Sequence, residues 1–495
     1  MNITPTKEQE DIIYAVAKGL TVKVAALAGT GKTSTLMMIA EAYPNLKGLY
    51  LAFNKSLQLD AQDKFPDWID CRTVHGLAYQ AVGKEFKHKL THKLTPQELI
   101  LELGIEEMTS SFKVEDEYII FTASQILAWT HDIIRNFMFS GRETIELKNV
   151  EWFTRLALPK HNSFLDKEDS FYDDNTTAID DLYNTLNESL LTYARDLWEK
   201  QSNINNHDIP CEHDTYLKIY QLSKPLIEDY DYIMLDESQD ANPCMIDILS
   251  VQKCQVIYVG DEYQQMYSFR GTINAMKNIE AETYCLTQSF RFGNAIAKEA
   301  NEILKSLRSP HLLKGLPSIK SFVVETIKPP YTFIARNNLR LFEECLSKIE
   351  DGYRCCFVGN LQGMIRLIRS AYSLWCKKNE WVNDKRVSCF EDWYELTDYV
   401  REHDDQELSI CVSFIMKYQE STLSKLREIQ AEARYKEDEA DIILTTAHKA
   451  KGREWDNVIL ANDFSFKTDD DKNIYYVAMT RAKITLQHKS PKMGK

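Results

Sequence analysis

The chain has 495 residues, roughly three domains' worth at about 150 residues each, so a single hydrophobic core cannot organise it. With 59 Lys+Arg against 74 Asp+Glu the net charge is −15, and 44% hydrophobic with 27% charged residues is globular composition; that excludes a disordered, collagen-like or coiled-coil chain and argues against coating nucleic acid non-specifically, while a local basic path stays open. No apolar run has the length of a membrane helix, MNITPTKEQED is not a signal peptide, and the cysteines are scattered without CxxC spacing; a reduced, cytoplasmic or nucleoid-bound protein with no membrane partner is expected.

In chain order, residues 6–19 place Ile12, Ile13, Val16 and Ala17 at helical spacing, closed by Gly19. TVKVAAL at 21–27 reads as a buried strand running into AGTGKTSTL, a glycine-bearing turn that opens a helix; strands follow at LKGLYLAF and IDCRTV. YDYIMLD at 230–236 and CQVIYVGD at 254–261 are further strands, each ending in an acid at the carboxyl end, where α/β sheets bind ligands. Between these blocks the pattern is helical, interrupted by the acidic FLDKEDSFYDDNTTAIDD at 164–181, which reads as a solvated loop. The start of that region carries Lys84, Lys87, His88, Lys89, His92 and Lys93 against Glu85, either a phosphate-facing patch or a solvated helix face. Past residue 282, TYCLT, SFVVETI, YTFIAR, YRCCFVG, ADIILTT and NVILAND predict a second α/β unit, broken at 373–435 by a helical pattern rich in Trp, Tyr and charge.

The chemistry concentrates in three places. Ala28, Gly29, Thr30, Gly31, Lys32, Thr33 and Ser34 stand between strand and helix, where backbone N–H groups and a helix N-terminus wrap phosphate; Lys32 would reach the β and γ phosphates and the Thr33 hydroxyl would ligate Mg²⁺. Asp236 and Glu237 end a strand, the place for a metal-anchoring acid and a water-activating base, although adjacent acids after a strand also cap helices. GDEYQQMYSFRG closes another strand, offering Gln264 as a γ-phosphate sensor and Tyr267, Phe269 and Arg270 as a surface for stacked bases and phosphates, or as core packing. His131, His207 and His213 read as structural, and Trp129, Trp152, Trp198 and Trp375 as helical core.

Taken in order, these blocks resemble superfamily 1 helicases of the UvrD/PcrA/Rep type across nearly the whole chain. ITPTKEQ is similar to the adenine-reading Q motif with Gln9; Ala26 stands where that family commonly has Ala at the first P-loop glycine; LAFNKS and CRTVHGLAY are similar to the single-strand-binding motifs; DESQD, GDEYQQMYSFRG, LTQSFR, TTAHKAKGREWDNV and YYVAMTRAK follow as the later motifs. In style, YLAFNKS, CRTVHGLAYQAVG, HDTYLKIYQLSKPLI and DFSF resemble the F-box DNA helicase group. The Q motif starts too near residue 1 for an amino-terminal F-box, so no ubiquitin-ligase role is expected, and the chain stops soon after Arg481, so no nuclease domain is expected to follow.

The resemblance implies an α/β chain of two RecA-like P-loop motor domains, each with a mainly helical insertion: 1–84 with 206–281, insertion 85–205, then 282–372 with 436–495, insertion 373–435. It implies ATP and Mg²⁺ in the cleft between the motor domains. Phe290 would stack on adenine, Glu454 would contact ribose, Thr33 and Asp236 would hold the metal, and Arg291 and Arg481 would be arginine fingers. Asn54, Lys55, His75, Tyr267, Phe269, Arg270, His448 and Lys451 would line a DNA track. The implied activity is ATP-dependent movement 3′ to 5′ on single-stranded DNA with unwinding of tailed duplex. The alternative is an ATP-driven regulatory subunit that strips proteins from DNA or works with a partner nuclease or recombination protein.

Overall fold

The computed structural model describes residues 4–91, 94–114, 117–151, 154, 169–266, 276, 279–384, 386–388, 390–402, 405–433 and 435–488. These fall into two compact units, one drawn from 1–24, 33–260 and 267–284, the other from 25–32, 261–266 and 285–495.

The first helix, Lys7–Ala17, opens with a reciprocal capping box between Thr6 and Gln9, which satisfies two N-terminal donors at once. Strands up to residue 286 are β1 (Val22–Ala26), β2 (Gly48–Ala52), β3 (Ile69–Thr73), β4 (Met108–Val114), β5 (Glu117–Phe121), β6 (Tyr232–Leu235), β7 (Gln255–Gly260) and β8 (Glu282–Leu286). Six of them form a sheet in the order β3-β2-β6-β7-β1-β8. Strand β2 runs parallel to β3 and β6, and β6 to β7, with Tyr50 opposite both Cys71 and Met234. Every residue of β2 and β6 is buried, as a parallel sheet covered on both faces requires. TYCLT was expected to open the second α/β unit; it is β8, at the edge of the first sheet beside β1.

Residues 94–209 build a core of their own around Ile126, Ile133, Phe137, Leu186, Leu190 and Leu197. The insertion read as mainly helical also contains an antiparallel hairpin of β4 and β5, and one expectation is corrected. The acidic stretch read as a solvated loop is helical from Asp169 onward, as the start of the 34-residue helix Asp169–Ser202, while 164–168 lie outside the described residues. Within that helix Ile179, Leu186, Leu190, Ala194 and Leu197 return to the buried side at helical spacing.

The second unit has β9 (Phe322–Val323), β10 (Tyr331–Ala335), β11 (Cys355–Phe357), β12 (Ile442–Thr446), β13 (Trp455–Leu460) and β14 (Ala482–Gln487) in the order β11-β12-β10-β13-β14-β9, every neighbouring pair parallel. The helices Leu361–Trp375, Gln406–Tyr418 and Thr422–Glu432 send Ile365, Ile368, Phe414, Ile415, Leu426 and Ile429 into one core with Phe333 and Leu444 of the sheet and Phe342 of the helix Asn338–Glu350. The fold class is thus α/β with two parallel sheets of RecA-like type. Among the described residues no helix is long and apolar enough to cross a membrane, and every described cysteine is a free thiol.

Candidate functional site

The phosphate-binding turn is shaped by backbone that favours glycine. Gly29 and Gly31 have φ of +72° and +80°, and a Cβ on Gly29 would sit 2.7 Å from Ser289 Oγ and 2.8 Å from Arg291 Cβ. The turn is fastened from its own unit: the Leu27 N–H donates to the Leu286 carbonyl (3.0 Å), the Phe290 N–H to the Gly29 carbonyl (2.8 Å), and the Ala28 N–H to the Tyr476 hydroxyl (3.1 Å). Thr30 is buried, and its hydroxyl donates back to the Leu27 carbonyl (2.7 Å). Lys32 and Thr33 then begin the helix Lys32–Ala42, with Ser34 in its first turn. Gln9 is buried and already committed, its oxygen to the Thr6 N–H and its nitrogen to the Thr35 hydroxyl (3.0 Å).

In the first unit, β6 delivers Asp236, 4% exposed. Its Oδ2 accepts the Tyr50 hydroxyl (2.8 Å) and the Thr33 hydroxyl (3.4 Å), and its Oδ1 accepts the Glu237 N–H (2.8 Å). Glu237 takes a left-handed conformation, φ +52°, a sparsely populated one for a residue with a Cβ and the kind of local strain that functional sites store. Its carboxylate accepts from Gln239 Nε2 (2.5 Å). Thr33 Oγ1 and Asp236 Oδ2 together suit Mg²⁺, which takes one or two protein oxygens and keeps water and phosphate for the rest. Among the described residues no cluster of three or more His, Cys, Asp or Glu could hold a metal by itself. Tyr50 was missed by sequence reasoning, because a tyrosine inside an apolar strand carries no motif. A small cavity lined by Asp236 and Glu237 also touches Phe53 and His75, so the acids adjoin the segments read as single-strand contacts.

The second unit holds the other half of the motif set. Gln264, in the turn Glu262–Gln264, donates to Asp261 Oδ2 (2.6 Å) and accepts from Arg481 Nη2 (3.2 Å); its carbonyl accepts from Lys451 Nζ (2.8 Å). Arg481 is 2% exposed, and its guanidinium also donates to the carbonyls of Val477 (2.9 Å) and Arg453 (3.3 Å). Arg291 pairs with Glu454 (2.7 Å) and donates to the Thr480 carbonyl (3.0 Å). Phe290 is 41% exposed. Tyr476 is wholly buried, which drives its hydroxyl pKa well up and keeps it protonated. It too was unassigned, although it lies inside the last motif. His448 is pushed down to about 4, first by burial and then by Arg336, with Lys451 acting in the same direction.

Of the residues read as a DNA track, Asn54 caps the helix Lys55–Gln62 through the Leu57 N–H (3.0 Å), and Lys55 reaches Gln58 (2.9 Å). His75 Nε2 lies 2.9 Å from Asp214 Oδ1, edge-on to the Tyr216 ring. Tyr267, Phe269 and Arg270 lie outside the described residues, as do His92, Lys93 and Trp152. The basic patch is corrected at Lys89, which is buried and donates to the carbonyls of Lys200 (2.6 Å) and Asn203 (2.8 Å); it caps a helix end rather than facing phosphate. His88 and His207 rings pack together, and His213 lies 3.0 Å from the Tyr216 hydroxyl.

A strained glycine turn, an acid pair after another strand of the same sheet and an arginine-glutamine linkage define a P-loop nucleotide protein. Residues 54–283 match the UvrD/REP helicase N-terminal domain and residues 441–486 the UvrD-like helicase C-terminal domain. F-box DNA helicase 1 of Gallus gallus is 30% identical over 526 residues, covering 97% of this chain and 48% of that protein. F-box DNA helicase protein 1 of Schizosaccharomyces pombe is 30% identical over 535 residues, covering 97% and 56%. DNA helicase II of Haemophilus influenzae is 34% identical over 115 residues, 20% of this chain and 16% of that one. The chain belongs to the UvrD-like helicase family, and it spans about half the length of the F-box helicases it matches.

Proposed function

We propose that this chain is an ATP-dependent DNA helicase that steps 3′ to 5′ along single-stranded DNA and separates duplex ahead of it. Lys32 neutralises the β and γ phosphates, the P-loop amides cradle them, and Phe290 and Glu454 hold adenine and ribose. Thr33 and Asp236 would hold Mg²⁺, which would supply charge neutralisation at the phosphates. Glu237, steadied by Gln239, takes the proton of the attacking water as the new P–O bond forms and the β–γ bridging bond breaks. Gln264 orients that water, and Arg291 and Arg481 neutralise charge on the transferring phosphoryl group.

The observation that carries this reading is Gln264: one side chain meets Arg481 while its carbonyl meets Lys451. Any γ-phosphate contact made by Gln264 is thereby felt by a finger arginine and by a residue of the proposed DNA track, which is what coupling hydrolysis to stepping requires. Strand separation of 3′-tailed against 5′-tailed duplex, with ATP, tests it. The proposal expects only the 3′-tailed substrate to open. Displacement of a bound protein without strand separation would favour the remodelling subunit instead, and opening of the 5′-tailed duplex would reverse the direction.

A further inference from the structure

A cavity of about 940 Å³ in the second unit is lined by none of the residues proposed for the motor. One wall is the helix Leu361–Trp375, the other the helix Thr422–Glu432, and the turn Asn379–Trp381 with the segment after it closes one end. Its charge runs against the chain. In a protein of net charge −15, this groove is lined by Arg366, Arg369, Lys378, Arg386 and Arg427 against one carboxylate, Asp384, and Asp384 is already paired with Arg386 at 3.0 Å. Arg369 is steadied by Gln430 (2.8 Å). Arg366 and Arg427, one from each wall, are exposed, and Arg366 also acts at longer range on the Asp384 carboxylate, helping to hold its pKa down after Arg386.

Beside these cations lies an aromatic surface. Trp381 is 57% exposed, with the Lys378 ammonium 4.3 Å from its ring centroid. Tyr372, which also lines the groove, is stacked on Trp375 at 5.4 Å. An indole left 57% exposed among arginines keeps apolar surface in water, and neither a free anion nor an acidic peptide would need it. Cations spread over two helices beside an exposed aromatic ring match a strand of alternating phosphates and unpaired bases, where stacking and phosphate neutralisation add.

We propose that this groove is a second binding site for single-stranded nucleic acid, in which Arg366 and Arg427 take backbone phosphates and Trp381 stacks on a base. It rests on the DNA-motor reading for its ligand class but on none of the motor residues.

The test uses the full chain without nucleotide, the variants Arg366→Gln/Arg427→Gln and Trp381→Ala, and labelled oligothymidylates of two lengths, one filling only the motor track and one long enough to continue past it. The proposal expects the double variant to bind the long strand with a salt dependence shallower by about 1.4 in log–log slope, since each single-strand phosphate contact contributes about 0.7. Trp381→Ala should weaken the long strand by about tenfold, within the range for one stacked base. Short-strand binding and its stimulation of ATP turnover should be unchanged in both variants. A photoreactive iodouracil placed in the distal part of the long strand should crosslink to Trp381. Unchanged affinity and slope for the long strand, absence of the Trp381 crosslink, or equal loss for both lengths would overturn the proposal. So would competition by tripolyphosphate or polyglutamate as effective as that by the long strand. Wild-type turnover indifferent to the short strand would instead count against the motor reading and leave the groove to be judged by the crosslink.

Discussion

Replacing Tyr50 by Phe removes one oxygen from the molecule and tests how the proposed metal-holding carboxylate is kept in place. The Tyr50 ring packs on Phe65 at 4.8 Å, which Phe preserves, so the change is confined to the hydroxyl and its 2.8 Å bond to Asp236. Burial, the Asp236 charge and, more weakly, Glu237 all push the Tyr50 pKa far up, so the hydroxyl remains a donor at every working pH. Asp236 is 4% exposed, and the Thr33 hydroxyl at 3.4 Å is at the edge of bonding distance. A hydrogen bond to a charged group contributes about 1.5–3 kcal/mol. For a first unit of about 270 residues each kcal/mol moves the melting point by about 2 °C, so the nucleotide-free variant should melt about 3–6 °C lower. Calorimetry at pH 7 on wild type and variant reads this directly. A variant that melts with the wild type would refute the view that Tyr50 holds Asp236, and the 2.8 Å contact would then be incidental.

Other expectations follow from the same geometry. Gly29→Ala places a Cβ against Ser289 and Arg291 at positive φ; ATP binding measured calorimetrically should be lost and stability should fall by about 1–3 kcal/mol, whereas normal binding would mean the turn can rearrange. His448 has its pKa lowered from 6.5 to about 4, so between those values the unfolded chain binds more protons than the folded one. Its contribution is therefore complete above about pH 6.5 and is lost as pH falls toward 4. Denaturant melts of wild type and His448→Gln across that window should converge as the pH falls, and parallel curves would contradict the assignment. Arg481→Lys cannot serve Val477, Arg453 and Gln264 together, and as a lost arginine finger it should slow ATP turnover by about a thousandfold with nucleotide binding retained; turnover near wild type would remove Arg481 from the finger role.

Much of the fold is legible because parallel strands announce themselves. TVKVAAL, LKGLYLAF and YDYIMLD are continuous apolar runs with acids, glycine or a cap at their carboxyl ends, and β1, β2 and β6 fall inside them. What a run cannot state is its neighbour: TYCLT is visibly a strand, but its place beside β1 is a long-range fact. The acidic 164–181 stretch misleads because charge reports exposure and not secondary structure: a helix with a solvated face is as charged as a loop. The hairpin of β4 and β5 escapes notice because MTSSFKV and EYIIF are joined without an Asn-Gly or Asp-Gly signal. Lys89 misleads in the opposite sense: composition counts a charge, while the structure spends it on two carbonyls 111 and 114 residues away. At the site, motif residues could be placed one at a time. The partners of Asp236, Ala28 and Gln264, namely Tyr50, Tyr476 and Arg481, lie 186, 448 and 217 residues from them, and no spacing rule reaches so far.

The central claim is that ATP hydrolysis here answers to DNA. ATP turnover by the purified chain should be measured with and without single-stranded DNA, with single-stranded RNA and Lys32→Ala as controls. The account predicts strong stimulation by DNA that disappears in Lys32→Ala. Turnover by the wild type that is the same with and without DNA would contradict it.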